Sequence, residues 1–148
     1  MKRVAGIIFS LCFLCAVMGC GTESVRPESY GRPEQTAEVL VKAVNLVLDD
    51  APGITRNETA RDVARFCISD QVGSLVMEGV FKLADSMHEA GCRTHLEIAG
   101  EARIEGNRAE VPLELFIEKD GRSLSKEFIL YEEKSKFGFW YCTRLDLW

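Results

Sequence analysis

The hydrophobic period of this chain changes once, at Gly91, and that change constrains the fold more than any other feature. Before Gly91 apolar residues recur every three or four positions; after it they alternate. Ala37, Leu40, Val41, Val44, Val47 and Leu48 mark one face of a helix opening at Pro33, a favourable first-turn residue. Asp49-Asp50-Ala51-Pro52-Gly53 ends it. The spacing of Thr55 to Glu58 fits a capping box for a second helix, with Ala60, Val63, Ala64 and Cys67 as its buried stripe. After Ser69-Asp70, a third helix carries Val72, Leu75, Val76, Val80, Leu83 and Met87, with Gly91 as its C-cap.

Beyond Gly91, Leu96, Ile98, Gly100, Ala102 and Ile104 alternate with polar residues in one long strand. Gly106-Asn107 and Asp120-Gly121 are two-residue hairpin turns. Ala109, Val111, Leu113, Leu115 and Ile117 lie between them. The next strand runs through Phe128, Ile129, Leu130 and Tyr131, and Lys134-Ser135-Lys136 turns it into a last one from Phe139 to Leu147. The expected fold class is therefore α+β: three N-terminal helices packed on one face of a curved four-stranded antiparallel meander. Pro112 falls in an inner strand, where its missing N–H removes a ladder bond, so a bulge is expected there.

The first residues have a different logic. Lys2 and Arg3 precede an apolar run from Val4 to Met18, too short for a relaxed span of ~20 residues but suited to a secretory leader. The run ends in Val17-Met18-Gly19-Cys20, which resembles the bacterial lipobox: an aliphatic residue, a variable one, a small one, then cysteine. The resemblance implies cleavage before Cys20, a diacylglycerol on its thiol and a further acyl chain on the freed amine. Two or three chains hold a protein on a membrane where one binds only marginally. Gly21, in place of Asp, leans the resemblance toward the outer membrane of a Gram-negative cell. The expected layout is residues 1–19 as signal peptide, 20–33 as lipidated N terminus and flexible tether, and 34–148 as one domain.

Removing Lys2 and Arg3 with the leader takes the formal charge from −5 to −7. An acidic domain without a Lys/Arg cluster is a poor partner for nucleic acid or anionic lipid, which leaves membrane attachment to the covalent lipid.

The layout from Gln35 to Leu145 resembles the nuclear-transport-factor-2-like, or cystatin-like, superfamily. It is most similar to small bacterial lipoprotein domains described as lumazine-binding-protein-like. The opening helix carries the resemblance, together with Glu105-Gly106-Asn107-Arg108-Ala109-Glu110-Val111, the Asp120-Gly121 hairpin and Phe139-Trp140-Tyr141. That superfamily holds isomerases, dehydratases and binding modules, so the fold does not choose a function. The inward positions are nearly all aliphatic or aromatic. The favoured expectation is a non-catalytic binding or interaction module of the cell envelope, with a small isomerase- or dehydratase-type enzyme using the cone as the alternative. Nothing in the sequence calls for a cofactor.

Three cysteines follow Cys20. In an oxidising compartment Cys67 and Cys142 can pair if Trp140 faces inward; Cys92 is an equally legitimate partner for either, and all three serve as well as small buried hydrophobes. His88, Cys92 and His95 fall close together but lack a fourth zinc ligand, and surface roles are favoured for the histidines. On the outward sheet face, Phe116, Ile129 and Tyr131 interrupt the charged residues, beside either Tyr141 or Trp140. A contiguous patch there implies an envelope partner or a homodimer; ordinary cross-strand packing explains it equally.

Overall fold

Local signals set the helix ends in the computed structural model, which describes residues 31–51, Gly53 and 55–147. The leader, Cys20 and most of the tether lie outside the described residues. Helix α1 spans Pro33–Leu48 and begins on its proline, with Glu34 in the first turn. Helix α2 (Arg56–Ala64) opens on the complete Thr55/Glu58 capping box. Helix α3 (Asp70–Glu89) is capped by Ser69, whose hydroxyl accepts the Val72 N–H at 3.2 Å. It closes at Gly91, where φ is +68° and the Cys92 N–H reaches back to the Met87 carbonyl. None of these helices is long and apolar enough to cross a membrane.

Two expectations for the helices need correcting. Helix α2 ends at Ala64, so Cys67 is not on its stripe; it sits in an extended bridge to Cys142. On α3 Leu75 is 62% exposed, and Met77 takes the core position instead. The cause is Gly73. A Cβ there would lie 2.9 Å from Ala64 Cα, so α2 and α3 cross at near-backbone contact. That crossing turns the Gly73–Val76–Met77–Val80 side of α3 inward and Leu75 outward. Helices α1 and α3 lie against the sheet, while α2 packs on α1 and α3.

The sheet is antiparallel and curled, so the chain is α+β as expected. It contains five strands, however, where four were expected: β1 (Arg93–Ile98), β2 (Arg103–Glu105), β3 (Arg108–Lys119), β4 (Arg122–Lys134) and β5 (Trp140–Leu145). Their order is β1-β3-β4-β5, with β2 also on β3. Both two-residue turns form as expected, with Gly106, Asp120 and Gly121 at positive φ. The third turn is longer: Lys134 pairs with Trp140, and the Ser135 hydroxyl accepts the N–H groups of Phe137 and Phe139.

The first strand divides opposite Pro112. Ile98 pairs with Leu113 and Arg103 with Glu110, so four residues, 99–102, face only Val111 and Pro112. The Pro112 carbonyl accepts the Ala99 N–H at 2.8 Å, which shows that this residue's ladder groups point toward β1. Its absent N–H falls where the next ladder bond on that side would form. The expected bulge therefore forms in the partner strand. Glu34 fixes it from above, its carboxylate accepting the Ala102 N–H at 3.1 Å.

The core fills the space between sheet and helices. Leu40, Val44, Val76, Met77 and Val80 meet Leu96, Val111, Leu113, Leu115 and Leu130. Asn45 locks the outer edge of β1 to α1: its amide donates to the Leu96 carbonyl and accepts the Leu96 N–H, both at 2.8 Å. This side chain thus replaces a neighbouring strand at one residue. Asn45→Ala leaves both backbone groups without partners and should cost about 2 kcal/mol in urea unfolding. Loss within error of zero would show that water substitutes for the amide.

Candidate functional site

Strand parity decides what faces the helices at the β2–β5 end of the sheet. On β4, Phe128, Leu130 and Glu132 point inward; Glu127, Ile129, Tyr131 and Glu133 point outward. A bulge between Tyr131 and Glu132 sets the register with β5: Tyr131 pairs with Arg144, but Glu132 pairs with Cys142. The extra residue, Thr143, donates its hydroxyl to the Tyr131 carbonyl at 3.1 Å. Trp140 is consequently inward and buried, while Tyr141 is outward, which resolves the alternative left open by the sequence.

Two openings flank this end. On the outer face, Arg103, Glu110, Tyr131 and Arg144 form one cross-strand row, and Glu105, Arg108, Glu133 and Tyr141 the next. All of these except Tyr141 line a cleft of about 550 Å³. The Arg144 guanidinium stacks 4.1 Å from the Tyr131 ring centroid and reaches Asp146 at 2.9 Å, while Arg103 is held by Glu105. The cleft thus alternates in sign, with an aromatic–guanidinium stack in its wall. A second opening of about 530 Å³ lies between α1, the end of α2 and β5, with Val39, Phe66, Phe139 and Tyr141 in its lining.

The inner wall of the first opening includes an ionisable group that the sequence reading passed over. Glu132 is 2% exposed, and neither carboxylate oxygen has a hydrogen-bond partner. Burial, reinforced by the charge of Glu34, pushes its pKa up to about 8. At neutral pH the group is therefore largely the neutral acid. The alternation Phe128–Leu130–Glu132 was the available signal, since it continues the inward face by two residues.

Cys67 and Cys142 meet across the same region. The Cys142 N–H donates to the Phe66 carbonyl at 2.8 Å, and its carbonyl accepts the Ile68 N–H at 2.9 Å. The two thiols hydrogen-bond to each other, which lowers the Cys67 pKa and raises that of Cys142. Cys92 stands apart, directed at the Ala90 carbonyl. His88 engages the Leu48 carbonyl at 2.8 Å and His95 faces Glu97 at 3.3 Å, so His88, Cys92 and His95 do not converge. Among the described residues no group of three such side chains is placed to hold a metal ion.

Phe116, Ile129 and Tyr131 share the outer face and are half-buried. They do not form one patch. Glu97, Glu114 and Glu127 line up across three strands between Phe116 and Ile129. Ile129 packs beside Pro112, whereas Phe116 lies between His95 and Ser125.

Glu132 gives stability a definite pH dependence. Its folded pKa of about 8 exceeds its ordinary 4.5. The folded state therefore holds a proton that the unfolded state has released between those values. Stability from this group is full below pH 4.5 and falls by up to about 1.4 kcal/mol per pH unit as pH rises toward 8. Glu132→Gln should flatten that fall and make the protein more stable than the wild type at pH 9. Parallel urea-unfolding profiles of the two proteins from pH 5 to 9 would refute the assignment.

No protein-family model matches the chain, and no curated protein matches it. Among solved structures it is similar to the solution NMR structure of a de novo β-sheet design protein. The two are 18% identical, with a TM-score of 0.48, over 76% of this chain and 83% of the other.

Proposed function

We propose that this chain is a bacterial lipoprotein, held in the cell envelope by lipid on Cys20, whose domain is a non-catalytic binding module with a nuclear-transport-factor-2-like roll. The observation that carries the non-catalytic reading is the filled cone. Leu40, Met77, Leu96, Leu113, Leu115 and Leu130 close the space between sheet and helices, each at most 2% exposed. A substrate has no room there, and binding is left to the two openings at the β2–β5 end, of which the outer-face cleft holds more of the charged side chains. The ligand surface is the charged cleft around Tyr131 and Arg144, continued by Ile129. Its alternating charges suit an envelope protein with a mixed-charge face better than an anionic ligand.

The alternative, an isomerase- or dehydratase-type enzyme, has Glu132 in its favour as a neutral acid at neutral pH. Against it stands the complete burial of both oxygens. The lipobox-like end of the leader and Gly21 support an envelope site, on the outer membrane if the cell has one. In that oxidising compartment, Cys67 and Cys142 close into a disulfide, with Cys92 left reduced.

Intact mass of the membrane-extracted protein should show a chain starting at Cys20 and carrying diacylglycerol and an acyl group; an unmodified Cys20 refutes the anchor. Alkylation without reduction should label Cys92 alone after denaturation, whereas labelling of all three cysteines removes the disulfide. A photo-crosslinking residue replacing Tyr131 in native membranes should give a discrete adduct that Arg144→Glu abolishes. An adduct pattern unchanged by Arg144→Glu would rule out this cleft.

A further inference from the structure

The long β3–β4 hairpin leaves half of β4 with an open edge. Strand β5 pairs with β4 only from Leu130 to Lys134, so Arg122 to Ile129 have β3 on one side and no described strand on the other. The direction of each backbone group follows from bonds nearby. The Lys134 N–H points to the β3 side, at Asn107, whereas the Tyr131 carbonyl and the Ser135 N–H point to the β5 side. Odd-numbered residues of β4 therefore aim their N–H and C=O groups away from β3. Those of Ser123, Ser125 and Glu127 face outward along the open edge, and Arg122 through Glu127 are all exposed. Leu124, on the inner side of the same stretch, is 71% exposed. Such an edge is a template for another strand.

We propose that this edge pairs with the same edge of a second copy of the chain, antiparallel about a two-fold axis at Ser125. Hydrogen bonding and charge together select the register. Outward-pointing groups must meet outward-pointing groups, so odd residues face odd ones and the axis passes through a residue. With the axis at Ser125, Ser123 meets Glu127 of the second copy, Leu124 meets Lys126 and Arg122 meets Phe128. No like charges are opposed, and the Lys126 stem covers the exposed Leu124. Moving the axis to Leu124 sets Arg122 against Lys126. An axis at Lys126 or Glu127 sets that residue against its own copy, and directly opposed like charges destabilise a sheet. An axis at Ser123 leaves only Arg122 to Leu124 to pair, because the turn occupies Asp120 and Gly121. The pairing from Arg122 to Phe128 ends just before β5 begins to occupy the edge at Leu130. Ser123, Ser125 and Glu127 each exchange backbone bonds across the axis. The interface uses no part of the lipid anchor or the Tyr131 cleft, so it stands or falls separately from both.

The test is cysteine crosslinking of the full chain in its own membranes, in a Cys92→Ser background. Opposed Ser125 Cα atoms in a hydrogen-bonded antiparallel pair are ~5.5 Å apart, within the ~4.4–6.8 Å that a disulfide spans. Ser125→Cys should move most of the protein to a band of doubled mass on a non-reducing gel under mild oxidation. The two Ser123 positions are offset by four residues, ~13 Å along the strand, so Ser123→Cys should give no such band. Ser125→Pro removes an edge N–H but no bond to β3; it should halve the mass of the detergent-solubilised protein by light scattering while its thermal unfolding stays cooperative and becomes independent of protein concentration. A wild type that is monomeric in detergent, equal crosslinking from Ser123→Cys, or a Ser125→Cys adduct to a different protein would each overturn the self-pairing.

Discussion

Pro112 has a carbonyl but no N–H, and it stands in the strand that the rest of the sheet is built on. Strand β3 pairs with β1 and β2 on one side and with β4 along its whole length on the other. The proline points its ladder groups toward β1, where the register slips by two residues, so the β4 side keeps an unbroken ladder. Gly100 sits in the slipped segment, where a Cβ would come within 3.4 Å of the proline ring. The sheet can therefore bend on one side without losing the hairpin that supports the core. A second bulge, at Tyr131/Glu132, does the same on the β5 side.

These two irregularities create the end of the molecule that carries its polar features. The first brings the Ala102 N–H under Glu34 and moves β2 against the β3 end. The second reverses the parity of β5, which turns Trp140 and Cys142 inward beside Glu132 and leaves Tyr141 and Arg144 outside. A regular sheet would have no such crowding of a carboxyl, two thiols and an indole behind a charged cleft. Trp140 also ties the entry of the chain to this end: its Nε1–H donates to the Gly31 carbonyl, and its carbonyl accepts the Thr36 hydroxyl.

The other end is regular and unfinished. The β3–β4 hairpin projects beyond β5, and its open edge carries Arg122, Lys126 and Glu127 among serines and apolar residues. Charge placement there disfavours the self-pairings centred on Leu124, Lys126 and Glu127, a form of specificity that apolar edges lack.

Much of the fold was legible in the sequence, because its signals are local. Pro33, the Thr55/Glu58 box, Ser69 and Gly91 act on their own backbone neighbours, and the turns at Gly106-Asn107 and Asp120-Gly121 need only positive φ. The strand faces followed from alternation. Tertiary structure alone decided the rest. Leu75 lost its core place because Gly73 meets a backbone from another helix. The first strand broke at 99–102 because the missing N–H belongs to its neighbour. Phe116 was separated from Ile129 and Tyr131 by glutamates brought in from three strands. Cys67 met Cys142, and Glu132 lost its water, through contacts between residues far apart in the chain. A side chain's partners across strands and layers are set by register, and register depends on residues that its own neighbours do not reveal.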